Sequence, residues 1–473
     1  MEQPQFRIGR VRRKSTSGRR GMLSDANHSV VNMQDIHTHL SVCEIPDTGT
    51  SIPTTKPEDQ TFLGHTHLSA ESSINQSPAV ITGPANGAHT KVLFLDGVRG
   101  LAAILVVIQH SHEYPTQGLH LGSVAVDAFF VLSSFLLTWL FLKKSMKMIK
   151  QQAGIRLWTI ALLDYFQKRF FRVYPLFAVT AISLYFMPLY AQHRYFHVKK
   201  PEDYDLGKVL MFYSGFRVHV FWTLPLEIGY YFVIPMFVLA ALGMRRLWWV
   251  GAVPLLVWIM HEGFYTYRID HMPLAPHLHT FLAGSLGAVV FVKADMWIKE
   301  TRFKLRWWHK IVLRVVEGLS IALLLSVSFQ GLFFDWIHQN PVPAAPGFAF
   351  VSVEMTAVFV IEMICPSCIS TMFEWSVLRY WGKISFSVYL LHSFVVYHPA
   401  IKHQKKYFNR FFARFGLILL LATVTYHLIE YPSQLLAQRI SRFLTARGRE
   451  GWRRFTCMEH VNLRKEDVPS EEK

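Results

Sequence analysis

From residue 93 onward the chain alternates between apolar runs of about twenty residues and short polar connections. A helix of that length spans the roughly 30 Å hydrocarbon core of a bilayer. Backbone amides in hydrocarbon must be bonded within the protein, and runs this long are helices rather than the shorter strands of a barrel. The composition agrees: 51% of the residues are apolar and 17% charged, where soluble chains carry about 25% charge. The expected fold is an all-α membrane protein of about ten transmembrane helices. They fall near 93–111, 122–142, 173–191, 220–242, 246–262, 277–293, 313–334, 347–366, 381–398 and 411–430.

The net charge of +17 lies in loops and tails, where positive charge marks the cytoplasmic flank of membrane spans. Nucleic acid is therefore not an expected partner. Lys143 to Arg172 after the second span, Lys299 to Lys310 after the sixth and Arg439 to Arg454 after the last are rich in Lys and Arg. The loops after the first and seventh spans hold none. This pattern places both termini in the cytoplasm, against the sense of Lys199–Lys200 and Lys402–Lys406. Residues 1–90 read as a disordered polar and basic tail, 91–440 as the membrane domain and 441–473 as a charged tail. No apolar core follows the basic start, so no signal peptide is expected. With both termini inside, the Asn75 glycosylation sequon stays unused. Four cysteines imply no disulfide framework, and Cys365-Pro-Ser-Cys368 has no second pair to make a zinc site.

Charge inside an apolar run costs about 2.5–3.5 kcal/mol on insertion scales, which makes each such residue a functional candidate. The first run holds Asp96, Arg99 and His110, and the second holds Asp127. Arg99 and His110 are eleven residues apart, about 20° past three helical turns and about 16 Å along the axis, so they share a face. Snorkelling of Arg99 and a carbonyl partner for His110 would explain the same spacing without function. Glu227 lies within a later run between Pro225 and Pro235. Tyr389 and His392 lie three apart on one helix face.

Six segments carry a resemblance. "LDGVRGLAAILVVIQH" holds an Arg, ten residues and a His; "VDAFFVLSSFLLT", "KRFFRVYPLF", "FWTLPLEIGYYFVIP", "WGKISFSVYLLH" and "IEYPSQLL" follow in order. Together they resemble the acyltransferase-3 family of integral membrane acyltransferases over about residues 91–440. Two positions depart from the family pattern. Ser134 replaces a glycine, which would crowd a close helix contact, and Ile228 stands where a second acid often follows Glu227. The extracytoplasmic hydrolase-like domain of some members is expected to be absent, since the chain stops some forty residues after the last motif.

The resemblance implies transfer of an acyl group, acetyl in the first place, from acyl-CoA to a hydroxyl. The acceptor would be a carbohydrate, a lipid-linked molecule or a small metabolite. It implies His110 as the base, since imidazole is neutral near its reference pKa of about 6.5 and can take the hydroxyl proton. Arg99 would grip CoA oxygens or stabilise charge near the thioester. Asp127 and Glu227 would line the catalytic site, with Asp96 or Asp127 pairing Arg99 or orienting His110; a helix start or a structural ion pair would explain either aspartate as well. Arg169 and Arg172 would bind CoA phosphate, although ordinary cytoplasmic-flank charge explains them as well. His392 is a further candidate for acceptor contact, and Glu430 with Pro432 reads as the end of the last helix. No metal site is expected: His65 and His67 lie in the tail, and His193 with His197 lies in a loop. The membrane is an endomembrane or the plasma membrane. A multipass transporter using the same intramembrane charges, or a non-catalytic relative, remains the alternative.

Overall fold

The computed structural model describes residues 86–113, 119–213, 215–266, 268, 272–335 and 349–446. Almost all of the N-terminal tail and most of the C-terminal tail lie outside them, with Cys43, His65, His67, Asn75 and Cys457. Among the described residues every regular element is helical. In order these are α1 (Asn86–Ser111), α2 (Leu121–Lys150), α3 (Ile155–Tyr185), α4 (Leu189–Phe196) and α5 (Leu206–Leu210). A 3-10 turn (His219–Trp222) leads into α6 (Thr223–Gly243), followed by α7 (Trp248–Tyr265), α8 (Leu274–Thr301) and α9 (Trp307–Ser328). Then come α10 (Ala349–Ile364), α11 (Cys368–Phe373), α12 (Ser376–Lys383), α13 (Ser385–Val396), α14 (Pro399–Lys402) and α15 (Tyr407–Thr425).

Each of the ten expected spans meets a helix, and among the described residues 7 segments are long and apolar enough to cross a bilayer: Leu93–Ser111 of α1, α2, His219–Gly243, Arg245–Tyr265, α8, α9 and Tyr407–Ala446. The other three differ for local reasons. α3 carries many charges in its first half and stops at Tyr185. The span expected to reach residue 191 therefore turns at Pro188 into α4. α13 is 12 residues long and α10 is 16.

The chain is an integral multipass membrane protein built around α2. Val131, Leu132 and Phe135 are wholly buried, and α2 packs against α1, α6, α8 and α10. Helices in lipid gain little from hiding apolar surface, so close backbone approach and buried polar contacts hold them together. Both devices are present. Thr138 and Tyr230 each share a hydrogen bond with Ser285, at 2.8 and 2.7 Å, which ties α2, α6 and α8 together. The crowding expected from Ser134 is relieved across the interface: Gly284 of α8 lies against the Ser134 hydroxyl and the Val131 carbonyl. A side chain at 284 would begin 2.2 Å from the former and 2.4 Å from the latter.

α1 crosses α11 and α12 still more closely. A Cβ on Gly97, Gly100 or Gly382 would stand 1.8–2.0 Å from the carbonyl oxygens of Phe373, Leu378 and Asp96 respectively. Backbone thus meets backbone along the stretch of α1 that carries Asp96 and Arg99. At the far end of α1, Glu113 accepts hydrogen bonds from Arg410 (2.9–3.1 Å) and Arg414 (2.6 Å), which fastens α1 to α15.

One expectation is corrected. Glu430 and Pro432 do not end the last helix. Residues 426–430 form a π turn, and the helix continues to Ala446. The Tyr431 amide bonds the Tyr426 carbonyl five residues back, so the widened turn tolerates the missing amide of Pro432. Glu430 is buried there, accepting hydrogen bonds from Ser387 (2.8 Å) and Gln434 (3.1 Å).

The crossing predicts that Gly382→Leu drives α12 off α1 and lowers the thermal midpoint in nanodiscs by the equivalent of at least about 1–3 kcal/mol. Gly416→Ala, where a Cβ meets nothing within 4 Å, serves as the neutral control; equal midpoints for the two would refute the crossing. A second expectation concerns acid. The Arg410 hydrogen bond, and after it that of Arg414, holds the Glu113 carboxyl below the usual carboxylate range. A lowered folded-state pKa gives stability that is complete above the unfolded value, about 4.3, and is lost as pH falls through the folded value. The stability difference between wild type and Glu113→Gln should be full at neutral pH and close in acid; a difference constant with pH would show the bonds to be inconsequential.

Candidate active site

Four of the residues given catalytic or donor-binding roles by the sequence meet in one pocket of about 100 Å³. Arg99 comes from α1, Arg169 and Arg172 from α3, and Glu227 from α6. Arg99 is 14% exposed and donates to Asp96 one turn earlier at 2.9 Å, so its charge is partly balanced on its own helix. Arg169 and Arg172 lie three apart and thus share a face of α3. The Arg169 Nε is buried with no hydrogen-bond partner. Glu227 is held from two sides, accepting from the Ser133 hydroxyl at 2.7 Å and from the Tyr231 hydroxyl at 2.6 Å. With two donors on one carboxylate oxygen, Glu227 is fixed in place as an acceptor. Among the lining residues Glu227 faces the three guanidiniums, Asp96 pairs Arg99, and the Glu430 carboxyl lies near enough to Arg99 and Arg172 to act on both. Guanidinium pairs well with phosphate and carboxylate oxygens, often bidentately.

Beside this pocket, sharing Arg169, Val173 and Tyr231, lies a second cavity of about 460 Å³. Its wall is aromatic and aliphatic, with Phe166, Phe170, Tyr174 and Phe212 among its side chains.

His110 does not line the pocket. It lies eleven residues along α1, among other imidazoles. Its ring centroid is 4.9 Å from that of His392 on α13 and 5.3 Å from that of His219. His110 Nδ1 donates to the Val106 carbonyl at 2.9 Å. His392 is wholly buried, and its Nδ1 donates to the Tyr389 carbonyl at 2.8 Å. A carbonyl only accepts, so both rings carry the proton on Nδ1 and a lone pair on Nε2. That tautomer suits a base acting through Nε2.

Tyr389 joins the two regions. It lines the arginine pocket, and its ring stands 6.3 Å from that of His392. Its hydroxyl accepts from Thr223 at 3.0 Å and donates to the Val220 carbonyl at 3.2 Å. Together with Phe129, whose ring is 6.1 Å away and which also lines the pocket, it forms the layer between arginines and histidines.

Asp127 is placed apart from this pocket. It is 2% exposed and receives a two-pronged bond from Arg268, at 2.8 and 2.7 Å. Arg268 also donates to Thr280. The pair is buried on both sides, so Asp127 acts as the counter-ion that anchors the segment between α7 and α8. It pairs neither Arg99 nor His110 in this geometry.

Sequence reasoning missed Ser133 and Tyr231 as the holders of Glu227, Arg268 as the partner of Asp127, and His219 as a neighbour of His110. Tyr231 was accessible, four residues after Glu227 on one helix face. Arg268 and His219 carried no signal: both lie in connections, Arg268 far along the chain from Asp127 and His219 far from His110 and His392.

The profile of the acyltransferase-3 family, an acyltransferase domain, matches residues 92–431. A protein of Staphylococcus aureus strain COL provisionally named an O-acetyltransferase is 25% identical over 371 residues, covering 72% of this chain and 56% of its own. A Bacillus subtilis strain 168 protein provisionally named a peptidoglycan O-acetyltransferase, YrhL, is 23% identical over 372 residues, covering 73% of this chain and 55% of its own. The chain thus spans little more than half the length of these relatives. No solved structure matches it significantly. The match over the membrane helices that carry Arg99, His110, Arg172 and Glu227 is decisive: the chain belongs to the acyltransferase-3 family of integral membrane acyltransferases.

Proposed function

We propose that this protein is a membrane O-acyltransferase that moves an acyl group, acetyl in the first place, from acyl-CoA to a hydroxyl of a carbohydrate, lipid-linked or small-metabolite acceptor. The observation that carries the reading is the separation of two functions along one face of α1. A cationic pocket gathers Arg99, Arg169 and Arg172, and a base with an Nε2 lone pair lies about 16 Å further along the helix. An acyl-CoA has the same polarity: phosphates at one end, a long flexible arm, and the thioester at the other. The family membership and the relatives' names support the reaction class.

In this reading the three guanidiniums hold the donor's phosphates, and the aromatic cavity beside Arg169 receives the parts of the donor that are not phosphate. At that distance from His110, Arg99 serves the phosphates better than the thioester, which favours one of the two roles its chemistry allows. The donor's arm passes the Tyr389–Phe129 layer to reach His110. His110 Nε2 takes the acceptor's hydroxyl proton while the oxygen attacks the thioester carbonyl. The tetrahedral centre collapses, the carbon–sulfur bond breaks, and the CoA thiolate recovers the proton from His110. Nδ1–H bonded to Val106 O keeps the ring in the required tautomer throughout. Glu227, pinned by Ser133 and Tyr231, sets how far the donor's anionic end can descend and repels it from the wrong wall.

The test uses purified protein in nanodiscs with acetyl-CoA and a hydroxylated acceptor. His110→Ala should lose about 10²–10⁴-fold in kcat while still binding acetyl-CoA. Arg172→Ala should raise KM for acetyl-CoA about tenfold or more, with a smaller change in kcat, since each lost phosphate contact weakens binding by roughly 1.5–3 kcal/mol. Wild-type protein that moves a solute across liposomes without cleaving the thioester would overturn the enzyme reading in favour of a transporter. Turnover that survives His110→Ala would place the base elsewhere.

A further inference from the structure

The histidines around His110 exceed what a single base needs. His110, His219 and His392 come from α1, the turn before α6, and α13, yet each offers a ring nitrogen within 4.8 Å of the other two. Three separate observations distinguish this from chance crowding. First, two rings are fixed by backbone carbonyls at Nδ1, Val106 for His110 and Tyr389 for His392. A ring that donates through one nitrogen and turns the other towards a common point has the arrangement of a metal-ligating histidine with its outer partner. Second, His392 is wholly buried and its Nε2 has no hydrogen-bond partner. A buried nitrogen left without a partner costs about 1–3 kcal/mol, and so wants an acceptor of its lone pair. Third, His219 enters through a left-handed backbone, at φ 38°. Non-glycine residues adopt that conformation at a cost the surroundings must offset, and here it brings the ring to the cluster. His197, also left-handed at φ 57°, lies against the outer side of His219 with centroids 4.8 Å apart.

We propose that one ring nitrogen each of His110, His219 and His392 forms a three-imidazole site for a divalent transition-metal ion of the zinc class. Three neutral imidazoles suit zinc, copper or nickel rather than magnesium or calcium, which take oxygen ligands. Zinc held by three protein nitrogens keeps a fourth position for water or a hydroxyl. His110 and His219 are the partly exposed members, so that fourth position falls on their side, away from buried His392. Nitrogens on a tetrahedral zinc lie about 3.3 Å apart, given bonds of about 2.0–2.1 Å. Binding therefore draws His110 and His219 inward, with His392 as the fixed ligand. An ion here uses the same Nε2 lone pair of His110 that proton abstraction uses. The two states exclude one another in any one molecule, and an ion-bound hydroxyl would replace the free base.

The experiment reads metal, not turnover. The full chain, carrying a histidine-free affinity tag, is placed in nanodiscs, stripped with a chelator, given Zn²⁺ and washed, and its zinc is counted by mass spectrometry. Wild type should retain about one ion per chain, and His219→Ala and His392→Ala should each fall to background. His193→Ala, at an exposed position outside the cluster, should retain the wild-type amount. Should His392→Ala fail to fold, Co²⁺ loading of the wild type replaces it. A visible spectrum of tetrahedral, nitrogen-ligated cobalt supports the site, and an octahedral aquo-like spectrum overturns it. Wild type that retains no zinc, or retention that survives both substitutions, also overturns the proposal. The readout needs no acyl-CoA, so a chain that binds zinc but transfers nothing would remove the acyltransferase reading and leave this one standing.

Discussion

A fixed charge in hydrocarbon needs an opposite charge or a polar cavity, and this requirement arranges the molecule. Several cations meet it with a partner carboxylate. Arg268 is spent on Asp127, Lys144 and Lys168 share Asp164, and Arg314 is shared among Glu317, Glu362 and the Cys365 carbonyl. These pairs are ties between helices, because removing one partner would leave its mate uncompensated. Arg169 and Arg172 break the pattern. No ion pair holds either among the described residues, and the single carboxylate in their pocket is already engaged by two hydroxyls. Glu227 acts on Arg169, and Glu430 on Arg172, through space rather than through an ion pair.

Close packing serves the same end. Where α1 lies on α11 and α12, Gly97, Gly100 and Gly382 let main chain meet main chain. The helix that carries both Arg99 and His110 is clamped by backbone at one end and by Glu113 at the other. Arg99 and His110 therefore keep a fixed separation along it.

Much of this was legible in the sequence, and the limits were physical. The spans were visible because hydrocarbon thickness dictates their length. The Arg99–His110 relation follows from helical periodicity alone, and the ordered motifs fixed the family. Glu227, Arg169 and Arg172 were readable as intramembrane or flanking charge, but only the fold could place them around one pocket. Asp127 looked like a member of that group because an acid in a span is suspicious wherever it stands. Its partner lies in a connection 141 residues later, and no local pattern links the two. The histidine cluster was hidden likewise: one member lies on a span, one in a short turn, and one on a helix too short to cross a bilayer. Ser134 shows the converse case. It departs from the family glycine, and the compensation lies on another helix, at Gly284.

The π turn in the last long helix holds one extra residue per turn, which advances everything after it by roughly 100° around the axis relative to an unbroken α-helix. Glu430 points at Ser387 from within that turn, and beyond it the Ala437 carbonyl meets the Gln167 side chain of α3 at 3.0 Å. The upstream half of the helix is phased to α13 and the downstream half to α3, and the turn is the offset that lets one rod satisfy both. A chain lacking a single residue between 426 and 430 would form a better α-helix and a worse protein. Its hydrogen bonding would be regular, and one of its two halves would present the wrong face. Conversely, a lineage that changed the tilt of α3 could accommodate it by losing or gaining that one residue, without altering any side chain of the arginine pocket. The irregular turn is thus where the bundle's geometry can be retuned without touching its chemistry.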